Sequence, residues 1–186
     1  MAPLLTEEQA DKAAEKSNRS FSDLAAVAPF VSQACLDKLA RKLLANSCSL
    51  KELAAIAPFT SSELLSELAM TAWREDDDLS DISALLPFVE DEALSQMALW
   101  AYEKGGTKML SRMAPFVDEN LLDKLALDAY EKNGLSSIST LAPFMGRQAL
   151  NRIAADMLKT GKLTDITPLL PFLDSSLIEE FLESKG

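Results

Sequence analysis

The run Glu75-Asp76-Asp77-Asp78 is the densest set of potential cation ligands in the chain, and carboxylates are what calcium or magnesium would take. It lacks the alternating ligands and central glycine of a calcium loop, and Leu79 follows directly as the start of an apolar pattern. Carboxylates placed there meet the positive end of a helix dipole, so they read as a solvated helix cap. Histidine is absent altogether, which removes the commonest general base and metal ligand. Ser-His and Cys-His nucleophile pairs go with it. Cys35 and Cys48 are too widely spaced for a CxxC motif and too few for a disulfide framework, so they read as free thiols. Gly105-Gly106 follows no strand and reads as a helix terminator, not a phosphate cradle. No catalytic residue, metal or cofactor is assigned, and the expectation is a protein that is not an enzyme.

The chain has 186 residues, 48% of them hydrophobic, and a net charge of −11. Such an acidic balance disfavours direct nucleic-acid binding, which needs basic side chains against phosphates. It equally disfavours an anionic membrane surface. The amino terminus has no basic segment followed by a long apolar core, and no apolar run approaches a membrane span. The expected location is cytoplasmic.

What organises the sequence is a recurring Pro-Phe pair. It stands at Pro29-Phe30, Pro58-Phe59, Pro87-Phe88, Pro115-Phe116, Pro143-Phe144 and Pro171-Phe172, with successive phenylalanines 29, 29, 28, 28 and 28 residues apart. A fixed period of this length is the mark of a repeat architecture. Cutting after each Phe gives repeats 5–30, 31–59, 60–88, 89–116, 117–144 and 145–172, then a half repeat 173–186, all within one domain 1–186. Ala2-Pro3-Leu4-Leu5 stands where an earlier corner would be, and Thr6 with Gln9 has capping-box spacing.

Each repeat carries two apolar patterns. Leu36, Leu39, Ala40 and Leu43, or Leu122, Leu125, Ala126 and Ala129, fall at i, i+3, i+4 and i+7, one face of an α-helix. The second pattern is shorter, as in Leu50, Leu53 and Ile56, and predicts a helix of two or three turns. Strand signals are missing. Proline stops the second helix, and candidate N-caps follow at Ser32, Ser61, Asp118 and Asp174, with weaker ones at Glu90 and Gly146. An apolar residue before the cap pairs with one four residues into the helix, as Val117 with Leu122, forming a hydrophobic staple. The Pro-Phe pairs are therefore structural corners, and Phe is expected to plug the gap between repeats. A buried plug would make Phe116→Ala cost roughly 3–5 kcal/mol. Ten residues after each corner comes Ala40, Ala69, Ala98, Ala126 or Ala154, where a neighbouring helix should approach closely.

On these residues the chain resembles the α-solenoid class, the helix-pair arrays exemplified by HEAT and tetratricopeptide repeats. The likeness spans the whole sequence but is architectural, since the period is shorter and the Trp, Gly and Tyr pattern of tetratricopeptide repeats is unmatched. It implies an all-α, right-handed-type solenoid of about six two-helix repeats with a C-terminal capping helix, and a surface that binds other proteins.

Aligning the repeats isolates residues that the helix pattern does not require. Met70, Leu99, Trp100 and Leu127 flank the core face and are the candidate partner-binding residues, Trp100 standing where other repeats carry Lys, Thr or Asp. Trp73, Tyr102 and Tyr130 share a column with Leu44 and Leu158 and are expected in the core. The functional expectation is a scaffold or adaptor that binds a partner protein or peptide on one face, with self-association possible. An acidic decoy that imitates nucleic acid against a basic protein is the alternative.

Overall fold

The computed structural model describes residues 6–17, 20–43, 50–75, 83–160, 163–176 and 178–179. Every regular element among them is helical. Two compact units share the chain, residues 1–94 and 95–186. In the first lie α1 (Glu7–Ser17), α2 (Phe21–Val27), α3 (Gln33–Leu43), α4 (Leu50–Ile56) and α5 (Ser62–Glu75). There α1 packs on α2 and α3, α2 on α3 and α4, and α4 on α5. The division falls within the first turn of α6 (Asp91–Leu110), and the second unit continues with α7 (Glu119–Asn133) and α8 (Arg147–Thr160). Glu75 closes α5, whereas Asp76–Asp78, Cys48 and most of 173–186 lie outside the described residues.

The longer helices bury the faces that their periodicity marks. Leu36, Leu122 and all five alanines at the tenth position are 0% exposed, so no larger side chain has room there. Helix starts follow their caps. Ser20, Ser32 and Asp118 accept backbone N–H bonds from Asp23, Cys35 and Leu121 at 3.1, 3.2 and 3.1 Å. The Thr6 N–H donates to Gln9 Oε1 at 3.1 Å, half of the capping box. Gly106 (φ 60°) breaks α6 into two pieces and Gly134 (φ 74°) ends α7, both in conformations that an L side chain resists.

The segments before the corners match the expected two turns at α2 and α4 in the first unit, α-helical over seven residues each, and Gly106 leaves residues 107–110 as a short α-helical piece before the next corner. After α7 and α8 the matching stretches are 3-10 turns at Leu135–Ser137 and Leu163–Phe172. Too few residues separate the breaker from the proline to repay the nucleus of a longer α-helix.

The corners themselves differ from the expectation in one respect that matters. Ala28–Phe30, Ala57–Phe59, Leu86–Phe88, Ala114–Phe116 and Ala142–Phe144 are 3-10 turns with proline in the first positions. The Phe N–H donates back across the turn, from Phe88, Phe116 and Phe144 to Leu85, Met113 and Leu141 carbonyls at 2.9, 2.9 and 2.8 Å. In such a turn residues i and i+3 eclipse. The residue before proline and the one after Phe therefore face inward together: Leu86 with Val89 (1% and 6% exposed), Ala114 with Val117 (3% and 8%). Pro and Phe, the middle pair, face out. Phe30 is 69% exposed, Phe59, Phe88 and Phe144 are 36–39% exposed, and Phe116 and Phe172 are half-buried, so none of the rings is a fully buried plug. Thr60 breaks the apolar rule at the fourth turn position and is still buried, because its hydroxyl donates to the Ile56 carbonyl at 2.9 Å.

A cross-repeat hydrogen bond joins five of the corners to the helix before them. The backbone N–H at a helix entry has no partner in its own helix. Asp11 accepts that of Ser32 at 2.8 Å, Asp37 that of Ser61 at 3.0 Å, and Ser66 that of Glu90 at 2.9 Å. Asp123 accepts from Gly146 at 2.9 Å and Asn151 from Asp174 at 3.2 Å. From Asp37 onward each acceptor lies seven residues after a corner Phe, and Asp11 lies seven after Leu4. Ser66 is 5% exposed and spends its own proton on the Ser62 carbonyl at 2.7 Å. A Cβ on Gly146 would come 2.7 Å from carboxylate oxygens of both Asp123 and Glu119, so a side chain there would require those carboxylates to shift.

The carboxylates at these corners titrate in opposite senses. Hydrogen bonds from the Ser32 side chain and backbone hold Asp11 below the ordinary carboxylate value, and those from Asn151 and Arg147 do the same for Asp174. Burial pushes Asp123 up against its hydrogen bond from Gly146. Asp11 and Asp174 therefore favour the folded state above the unfolded carboxylate value of about 4 and lose that contribution as pH falls. Asp123 favours it below that value and loses the contribution as pH rises through its folded pKa. Asp123→Asn keeps an acceptor, as Asn151 shows, and removes the buried charge. Urea unfolding should find it at least as stable as the parent, its advantage growing from acid to neutral pH. Asp123→Ala orphans the Gly146 N–H and should cost about 1 kcal/mol. The corner geometry makes a further ranking: Phe30→Ala within about 0.5 kcal/mol of the parent, Leu122→Ala losing roughly 2–5 kcal/mol.

Candidate functional site

In the second unit the first helices of successive repeats present one polar-aromatic face. Positions eleven, twelve and fourteen after the corner Phe supply it: Leu99, Trp100 and Tyr102 on α6, then Leu127, Asp128 and Tyr130 on α7. These lie beyond the buried stripe of Ala98, Ala101, Ala126 and Ala129, so helical geometry turns them partly outward. Leu99 is 41% exposed, while Trp100 and Leu127 are half-buried. Met70 is half-buried on α5, in the first unit. Of the four sequence candidates, Leu99, Trp100 and Leu127 thus belong to one unit and Met70 to the other.

The tyrosines are not core residues. Tyr102 is half-buried and its hydroxyl donates to Asp128 Oδ2 at 2.5 Å, joining α6 to α7. Lys132 reaches the same oxygen at 2.6 Å, with its ammonium 5.9 Å from the Tyr102 ring centroid. Burial together with Asp128 pushes the Tyr102 hydroxyl up to about 12. Asp128 is held below the ordinary carboxylate value by the bonds from Lys132 and Tyr102.

One repeat further, the same column opens. Between α7 and α8 lies a cavity of about 310 Å³, lined by Leu127, Tyr130 and Glu131 from α7 and Arg152, Ile153, Asp156 and Lys159 from α8. Lys159 sits 3.6 Å from Asp156. Burial and the Asp156 charge raise the Tyr130 hydroxyl. Two cations, two carboxylates, a phenol and two aliphatic side chains suit an amphipathic side chain that carries its own polar end. Both phenols stay protonated at neutral pH and serve as hydrogen-bond donors, not bases.

Sequence reasoning singled out Leu127 but missed the groove around it. The signal was present as a Tyr at position fourteen facing an Asp at position twelve of the next repeat, Tyr102 to Asp128 and Tyr130 to Asp156. Among the described residues no group of acidic, Cys or His side chains is arranged to hold a metal, and no helix is long and apolar enough to cross a membrane. Cys35 is buried, its thiol 3.8 Å from the Asp11 carbonyl and raised in pKa by burial, so it is a poor nucleophile.

These environments give an optical test. The chain has two tyrosines, so an alkaline absorbance titration resolves them. Both should ionise above the ordinary value of about 10, Tyr102 last. A raised folded value means the contribution of Tyr102 is intact below pH of about 10 and is lost as pH rises through its folded pKa. Asp128→Asn should lower the Tyr102 transition towards the ordinary value. Comparison with protein-family models, curated proteins and solved structures finds no match to this chain.

Proposed function

We propose that the chain is a non-enzymatic scaffold, a right-handed-type α-solenoid of about six helix pairs, that binds a partner protein or peptide on the α6–α8 face. The observation that carries this reading is Leu99, a large apolar side chain 41% exposed beside Trp100, with Leu127 bordering an open cavity on the same series of helices. Exposed apolar side chains framed by charge are characteristic of interfaces. A partner residue with an apolar body fits against Leu127 and Ile153, while its polar end meets Tyr130 or Arg152. The decoy reading is less well supported. Described carboxylates such as Asp11, Asp37 and Asp123 are spent on backbone N–H groups, and Glu15, Glu67 and Asp174 pair with Lys38, Arg41 and Arg147.

Affinity capture from the native lysate, repeated with Leu99→Ala and Trp100→Ala, tests the proposal. Trp100→Ala should weaken partner binding by about 2 kcal/mol or more, because binding energy concentrates in a few aromatic anchors. Leu99→Ala should weaken it less and leave the melting temperature unchanged. Unaltered binding by both folded variants would rule out this face.

A further inference from the structure

The corners of the first unit form a second surface, distinct from the α6–α8 face. Pro29, Pro58 and Pro87 are exposed, as are Phe30 (69%), Phe59 (37%) and Phe88 (36%). Their placement is set by the cross-repeat hydrogen bonds. The Ser61 N–H is tied to Asp37 on α3, the helix that begins at the Phe30 corner, and the Glu90 N–H is tied to Ser66 on α5, which begins at the Phe59 corner. Each corner is therefore tied to the helix that the previous corner begins. The result is a row of Pro-Phe steps along one edge of the unit.

Charge selects the occupant. Residues 1–94 hold seventeen Asp and Glu against eight Lys and Arg, whereas residues 95–186 hold twelve against ten. Glu63, Glu90, Asp91 and Glu92 stand exposed just beyond the Phe59 and Phe88 corners. A second copy of this chain would bring like charge to that edge, and so would nucleic acid. A polyproline II segment has three residues per turn, so every third side chain falls on one side and can meet successive corners. Proline-rich chains dock on aromatic ridges because their backbone is already ordered. We infer that the Phe30, Phe59 and Phe88 edge binds a basic, polyproline-type peptide, with one apolar residue at each step and cationic residues against the carboxylates that follow Phe59 and Phe88.

The probes are fluorescent peptides of repeated Lys-Pro-Leu triplets, with Glu-Pro-Leu and Lys-Pro-Ser counterparts, titrated by anisotropy against the full chain. The first should bind at low salt and weaken as salt rises, and both counterparts should bind at least about tenfold more weakly. Phe30→Ala with Phe59→Ala should lower affinity for the first peptide at least about tenfold, and Glu90→Lys with Glu92→Lys should do the same. Circular dichroism of both double variants should match the parent. Leu99→Ala and Trp100→Ala should leave this binding unchanged, which separates it from the partner face. Equal binding of the acidic peptide, indifference to the corner variants, or absence of binding at low salt would overturn the inference. So would a self-associated chain that Phe30→Ala converts to monomer in sedimentation.

Discussion

A single hydrogen bond repeated along the chain organises the rest of the structure. At five corners the N–H that opens the next helix is satisfied by a side chain one helix back, from Asp11, Asp37, Ser66, Asp123 or Asn151. Without it, every corner would present a backbone donor half-removed from water. With it, the entry point of each helix is tied to a point two turns into its predecessor. The side chain in this role need only be short and able to accept, which is why Asp, Ser and Asn interchange. Where the acceptor is a partly buried carboxylate, as at Asp123, the bond to Gly146 is made against a desolvation cost. Where it is exposed and multiply bonded, as at Asp11, ionisation is favoured.

The tie explains how little the corner itself has to hold. A 3-10 turn aligns residues three apart, so the inward side of Ala-Pro-Phe-Val is the alanine and the valine. Proline contributes its fixed φ and the missing donor that ends the helix. Phenylalanine is then left with much of its ring in solvent. Phe30 shows the consequence most fully, with 69% of its surface exposed.

The two surfaces differ in chemistry because the repeats diverge where the scaffold leaves them free. On α6 and α7, Tyr102 closes on Asp128 and Lys132. Between α7 and α8 the same arrangement fails to close, and the space becomes a cavity with Tyr130, Arg152 and Asp156 on its walls. The first unit has Trp73 in the equivalent column, 2% exposed and packed as core. One structural position therefore serves as core in one repeat, as a hydrogen-bonded tie in another and as a groove wall in a third.

The sequence by itself determined what depends on local periodicity. Helical class, the Pro-Phe spacing, the capping residues Ser32 and Asp118, and the alanines at 0% exposure all follow from which residues fall within one or two turns of each other. Tertiary structure alone decided which way Phe30 and Phe59 face, which side chain satisfies each helix-entry N–H, and whether Tyr102 and Tyr130 lie in the core or at its edge. Those outcomes depend on groups more than twenty residues apart in the chain, Asp11 with Ser32 or Tyr102 with Asp128. An α turn and a 3-10 turn place the same Phe differently, and helical periodicity carries no record of which turn forms. Whether such a pair bonds, as Tyr102 and Asp128 do, or borders a cavity, as Tyr130 and Asp156 do, depends on how two helices pack and is not written in either helix alone.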